Sequence, residues 1–422
     1  MSHLRAGYGE QIITPPLGRP LTGYGCYLDR NAASVLDDLK VRAVFLRRGN
    51  ERLILISCDL LGLTVEFSDA VREEIAWEQG LDRAGIFLAC THTHSGPASQ
   101  PLIGMPVPDP EYLAQVQRAI LAAADAAAHD EARAAFSYFL ETIEPIGFNR
   151  RNRSFHPIDP VLKVAVLERA DGKLYLMNYA CHAVTLGLNY AWSADWPGAV
   201  VAAIEADGHR GIVFQGFLGD INPTANGLSS APDKTAFLPY YGRLLYDRAR
   251  LAEPQATRED SPSLRAVERR VDLPLSVPTP AHLETDYARW RSRFAGNAGF
   301  ERALDEWHAA ARACPLDHCE HPYRTGVPLQ AASLGALQIV GFPGETFCSY
   351  GLRLRAKHPA LLTLGHCGGN VGYLPTKDAF EVENDYAVHL ASKLYALYPF
   401  APGLEDLLLR EAKAALGDLT DS

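Results

Sequence analysis

Apolar and polar positions follow two different periods along the first half of the chain. Leu53 to Ile56 lies inside an unbroken apolar run, so Arg52 to Cys58 reads as a strand covered on both faces. Phe67 to Gly80 spaces its apolar residues at helical intervals and stops at a glycine, and Ala84 to Cys90 is a second buried strand. The order strand, helix, strand predicts a βαβ unit. An Ala-rich helix follows from about Pro110 to His129, then strands near Ala134 to Ile146, Leu162 to Leu167 and Leu174 to Tyr179. A helix opens near Trp196-Pro197, where proline suits the first turn, and Gly211 to Phe217 is strand-like. The pattern turns polar from Glu253 to Asp260 and Ser-Pro-Ser follows, which marks a surface connection. Residues 280–312 read as a helical pair within a segment of roughly 275–330 inserted into the rest. Ala332 to Gly341 is predicted as a strand, Thr346 to His358 as a helix and Leu361 to Leu364 as a short strand, before terminal helices from about Asp385 and Gly403.

These elements belong to an ordinary folded chain. Of 422 residues 47% are apolar and 21% charged, which fits neither a disordered nor a fibrous class. The net charge of −10 disfavours attraction to nucleic acid or anionic lipid, and no run of about 18 apolar residues offers a membrane span. The opening residues lack an apolar core behind a basic start, so no secretory signal is expected. Eight cysteines, several inside apolar runs, are too sparse for a disulfide framework. Together these features lead to the expectation of a cytoplasmic protein with no nucleic-acid partner and no stable membrane insertion. The pattern is silent on oligomeric state.

Four segments carry candidate chemistry. In Cys90-Thr-His92-Thr-His94-Ser-Gly-Pro97 a buried strand runs into His-X-His, and alternate residues of a strand share a face, so the two imidazoles are expected to converge at the strand end. Metal binding is the leading reading, with a pair of surface-loop histidines as the alternative. Asn178-Tyr-Ala-Cys-His182 delivers another histidine from an apolar strand. Gly341-Phe-Pro-Gly-Glu345 presents a carboxylate where a strand breaks, a place where a glutamate also suits a helix dipole. Gly372-Tyr373-Leu-Pro-Thr follows Gly365-His-Cys-Gly-Gly-Asn370 and offers a glycine-flanked tyrosine.

Thr91-His-Thr-His-Ser-Gly-Pro97, Phe148-Asn-Arg150, the His182 strand, Gly219-Asp-Ile-Asn-Pro223, Pro343-Gly-Glu345 and Gly372-Tyr-Leu-Pro-Thr376 stand in the order found in the neutral/alkaline ceramidase family. With Ile13-Thr-Pro-Pro16, Gly23-Tyr-Gly25 and Val35 to Ala43, the sequence resembles the N-terminal catalytic domain of that family from about residue 6 to 395. The resemblance implies an α/β fold, a mixed β-sheet catalytic domain with surrounding helices over residues 1–422. It implies one zinc ion per chain, held by His92, His182, Glu345 and Tyr373. His94 would face the substrate as oxyanion donor or proton shuttle, Arg150 would orient the polar head, with the adjacent Arg151 as the alternative match, and Tyr386 would be a further tyrosine of the site. The implied reaction is amide hydrolysis by zinc-bound water, a chemistry suited to histidine and carboxylate ligands with one open position.

The sequence also departs from that family. Asn222 stands where the family carries a serine discussed as a nucleophile, so a covalent route is closed there; Asn222 would instead hydrogen-bond the substrate. The family's C-terminal β-sandwich domain is expected to be absent, and no amphipathic docking segment is evident. A small soluble ester, lactone or glycoside therefore stands as an alternative substrate, a metal-free binding protein as an alternative function, and a dinuclear site using both His92 and His94 as an alternative centre. Cys314, His318, Cys319 and His321 offer four ligand types in eight residues, yet lack the paired spacings of zinc ribbons, so a loop is weighed against a second zinc.

Overall fold

The computed structural model describes residues 3–313, 323–396 and 398–420. Two five-stranded sheets lie face to face between outer helices. The first orders its strands Ile86–Cys90, Glu51–Cys58, Lys40–Arg48, Arg5–Ile12 and Ala132–Arg133; the second orders Arg210–Gln215, Gly172–Tyr179, Val161–Arg169, Ala135–Thr142 and Thr257–Glu259. A four-stranded sheet of Leu264–Pro274, Tyr323–Leu334, Leu337–Gly341 and Leu361–Leu364 completes the frame.

The period-two alternation explains the layering. In Glu51–Cys58, Leu53 and Leu55 enter the core between the sheets, while Ile54, Ile56 and Cys58 enter the core under the helices Val65–Gln79 and Pro110–His129. In Gly172–Tyr179, Leu174 and Leu176 share the central core, and Tyr175, Met177 and Tyr179 face the helices Asp195–Ala206 and Phe237–Ala252. Strands covered on both sides read as continuous apolar runs, which is why these were visible in the sequence.

Local signals set the helix ends. Thr64 accepts from the Phe67 amide at the start of Val65–Gln79, and Gly80 closes it in the left-handed conformation at φ 59°. Asp109 caps Pro110–His129, with proline in the first turn. Thr279 caps Pro280–Arg293, which packs on Ala298–Ala313 and then on Leu390 through Trp290 and Leu304.

The structure corrects one of these expectations and bears out its neighbours. The βαβ unit holds for residues 51–90, where Glu51–Cys58 and Ile86–Cys90 are parallel, and most other neighbours are antiparallel, so the sheets are mixed as expected. The single strand expected over 332–341 is two strands, because Gly335 at φ 61° turns the chain back on itself between Leu334 and Leu337. The helix expected from about Asp385 is present, capped by Asp385 and wide-wound over Tyr386–Leu390 before the α-helical turn Ala391–Leu394. Cys314, His318, Cys319 and His321 lie outside the described residues.

Candidate metal centre

Four chain segments meet at one end of the sheets. His92 and His94 follow the end of Ile86–Cys90, His182 follows the end of Gly172–Tyr179, and Glu345 and Tyr373 are cross-strand partners in a short parallel pair, Glu345–Thr346 with Tyr373–Leu374. The sequence reading put the two histidines of His-X-His on one strand face. They lie beyond the strand instead: His92 sits at φ 59°, and that reversal brings its Nε2 to 3.2 Å from His94 Nε2. A left-handed histidine costs about 1–2 kcal/mol, which the surrounding hydrogen bonds sustain.

Each imidazole is oriented the same way. His92 Nδ1 is 2.6 Å from Leu61 O, His94 Nδ1 2.7 Å from Gly23 O, and His182 Nδ1 2.9 Å from Ile221 O. A ring nitrogen beside a carbonyl carries the proton, so every Nε2 is left as a lone pair aimed inward. These ligand atoms lie within 4.8 Å of one another. Glu345 Oε2 joins them at 3.2 Å from His182 Nε2 and 3.5 Å from His92 Nε2. Three converging imidazole lone pairs and a buried carboxylate form a donor set that fits a divalent metal such as zinc.

The electrostatics agree with that use. Burial depresses the His182 pKa to about 4, with Arg150 acting in the same direction, so the ring is neutral near pH 7. Burial and the neighbouring His92 and His182 hold His94 well below the ordinary histidine range. Burial pushes the Glu345 carboxyl up and the adjoining His92 and His182 pull it down, with the lowering prevailing. His92 and His182 are fully enclosed, whereas His94 is partly open.

Arg150 sits beside the cluster. Its Nη2 donates to Gly219 O at 2.9 Å and to Tyr373 Oη at 2.6 Å, and its guanidinium lies 5.4 Å from the Tyr373 ring centre and 6.0 Å from that of Tyr386. Tyr386 meets Tyr373 edge to face and is 45% exposed at the mouth. Arg151 instead pairs with Asp378 and Asp385. Asn222 follows Ile221, the residue whose carbonyl holds His182, and its Oδ1 is buried without a partner among the described residues. His92, His94, His182, Glu345, Tyr373, Arg150 and Tyr386 are thus gathered at or beside one centre, and Asn222 adjoins the residue that orients His182.

Two further residues belong to this neighbourhood. His366 stacks on His92 with centres 4.0 Å apart and rings 13° from parallel, and neither of its nitrogens has a partner among the described residues. It lies inside Gly365 to Asn370, a stretch the sequence reading quoted without a role. Tyr395 donates to Glu345 Oε1 at 2.8 Å and sits in no motif, so no sequence signal pointed to it.

No family model and no curated protein matches the chain. Among solved structures it is similar to a ceramidase complexed with C2 and to the neutral ceramidase from Pseudomonas aeruginosa. Each comparison has a TM-score of 0.76 at 17% identity, covering 99% of this chain and 76% and 75% of the respective ceramidase chains. The shared property at that identity is the fold: a mixed α/β architecture of the neutral ceramidase kind. Among the described residues, no helix is long and apolar enough to cross a membrane.

Proposed function

We propose that this chain is a zinc-dependent hydrolase of the neutral ceramidase type that cleaves the amide bond of an N-acyl compound. The observation that carries the reading is the convergence of His92, His94, His182 and Glu345 with every histidine Nδ1 turned to a carbonyl, on a fold shared with ceramidases. In this reading His92, His182, Glu345 and Tyr373 would hold one zinc ion per chain, while His94, whose Nε2 converges with those of the other two histidines, is kept for the substrate. Zinc, when bound, polarises a carbonyl and lowers the pKa of water, which makes hydrolysis accessible at neutral pH.

The remaining roles fall to the chain's own side chains. His94, the most open of the three imidazoles, faces the substrate; its unprotonated Nε2 accepts the proton of the attacking water and returns it to the leaving nitrogen. Arg150, fixed through Nη2, directs its remaining donors at the oxygens of the polar head. Tyr386 closes the mouth, and Asn222 Oδ1 accepts a hydrogen bond from the substrate. The six described cysteines are buried and unpaired, which supports placement in the reducing cytoplasm. Residues 1–422 act as one catalytic unit in which the helical pair of the roughly 275–330 segment is an insertion beside the site.

Two substrates stand against each other, ceramide and a smaller, more polar N-acyl compound. The cavity beside Arg150 is lined by Arg151, Asn384, Asp385 and Tyr386, with Phe347, Val382 and Ala387 as its apolar surface. The two readings separate in a single assay: zinc-loaded protein is offered ceramide in detergent micelles and a panel of short N-acyl amides and esters, with His94→Ala as control. Turnover of any N-acyl amide that disappears in His94→Ala supports the proposal, and the ratio of kcat/KM between long and short substrates ranks the two. Turnover of esters alone would refute the amidase assignment.

A further inference from the structure

The two oxygens of Glu345 keep different company. Oε2 faces His182 and His92, while Oε1 accepts from Tyr395 Oη at 2.8 Å. The direction of that last bond is fixed by a relay. Asn370 Oδ1 accepts from the Gly372 amide at 3.0 Å, so its NH2 group points the other way and donates to Tyr395 Oη at 3.2 Å. Having accepted one hydrogen bond, the phenol has its own proton to give to Glu345. Gly372 also makes room for the ring: at φ 97° it carries no Cβ, and one placed there would lie 3.2 Å from Tyr395 Cδ2.

Tyr395 is itself held by a clamp two residues away. Lys393 is 1% exposed, and its ammonium donates to His389 O at 2.6 Å and pairs with Asp286 Oδ2 at 2.6 Å. It lies 4.4 Å from the Trp307 ring centre and 5.8 Å from that of Trp290. Asp286, Trp290 and Trp307 all belong to the helical pair Pro280–Arg293 and Ala298–Ala313. A buried ammonium between an acid and two aromatic faces is a specific fastening, since either contact alone leaves its desolvation uncompensated.

We propose that Tyr395 is a positioning residue of the metal centre, occupying Glu345 Oε1 so that Oε2 alone is presented to the ion, and that Lys393 fastens this arrangement to the helical pair. The inference rests on the zinc reading above. A carboxylate fixed by an outer hydrogen bond has one geometry for the metal; a free one turns between one- and two-oxygen binding, and loss of such partners typically weakens metal binding roughly 10–100-fold.

The experiment compares wild type, Tyr395→Phe and Lys393→Met, each loaded with zinc, by the rate of zinc release to excess chelator. The absorption spectrum of the cobalt(II)-substituted proteins is read alongside, because band position and intensity report coordination number. Tyr395→Phe removes one oxygen and keeps the ring. It is expected to melt cooperatively, to bind about one zinc, to release it roughly ten-fold faster or more, and to change the cobalt spectrum. Lys393→Met is expected to shift release the same way, with the double variant no faster than Tyr395→Phe alone; should Lys393→Met not melt cooperatively, Asp286→Asn replaces it. Zinc release and cobalt spectrum of Tyr395→Phe equal to wild type overturn the positioning role, and unchanged release in the clamp variant overturns the fastening. Wild type that binds no zinc overturns the hydrolase reading and this inference together, which distinguishes the two failures.

Discussion

Arg150→Met tests whether the arginine beside the cluster is both a structural tie and a substrate contact. The substitution keeps an unbranched stem and removes the guanidinium. In the intact protein Nη2 alone holds Gly219 O at 2.9 Å and Tyr373 Oη at 2.6 Å, so two acceptors lose their donor at once. A hydrogen bond to a charged group contributes about 1.5–3 kcal/mol. Two of them amount to about 3–6 kcal/mol, less about 1–3 kcal/mol because a charge no longer has to be kept in a poorly solvated site, so the net loss spans about 0–5 kcal/mol with a midpoint of about 2.5 kcal/mol. Urea denaturation of the metal-free protein reads that loss directly, and the slope with denaturant should be unchanged. Loss of an arginine that orients the polar head misplaces the reacting bond, which can cost about 10² in rate, so activity should fall by that order, and Arg150→Lys should not restore it, because a point charge cannot reproduce the fork. A variant as stable as wild type would refute the tie, and one with wild-type kcat/KM on every substrate the wild type cleaves would refute the contact.

Two other expectations follow from the geometry. His182 is buried with its pKa depressed from 6.5 to about 4, so between those values the unfolded chain binds more protons and stability falls as the pH drops through that window. The loss approaches about 3 kcal/mol below pH 4 from this residue, with His94 and His366 acting in the same direction. Denaturation of metal-free wild type and His182→Gln at pH 7 and pH 4.5 should show a smaller loss in the variant, and equal losses would contradict the assignment. A Cβ at Gly219 would lie 2.2 Å from Glu345 O, so Gly219→Ala must displace the strand that carries the carboxylate. It should lower zinc affinity at least ten-fold and cost about 1–3 kcal/mol, read by chelator competition and melting, whereas unchanged zinc affinity would show that the Glu345 strand has slack.

What the sequence disclosed follows from the range of the interactions. Leu53 to Cys58 and Ile86 to Cys90 were legible because burial on both faces leaves only apolar residues, and Pro110–His129 because its cap, its proline and its period are local. The antiparallel order of the sheets was not, since it depends on which distant backbone each strand meets. At the site, the residue types of His92, His182, Glu345 and Tyr373 stood out beside glycine and proline, but their convergence needs the parallel bridge between Glu345 and Tyr373 and the backbone reversal at His92, neither of which has a local signature. Tyr395 was invisible because a tyrosine near a chain end carries no pattern until its partner oxygen is known. The Gly335 turn was missed for a different reason: apolar residues continue on both sides of it, so the run reads as one strand.

The central claim is that histidines and a carboxylate some 160 residues apart bind one ion. Elemental analysis of the purified protein, wild type beside His182→Ala and Glu345→Ala, addresses it before any substrate is chosen. The account predicts about one zinc per wild-type chain and a large loss in both variants, each still folded by circular dichroism. A wild type without zinc, or zinc that neither substitution removes, would contradict it.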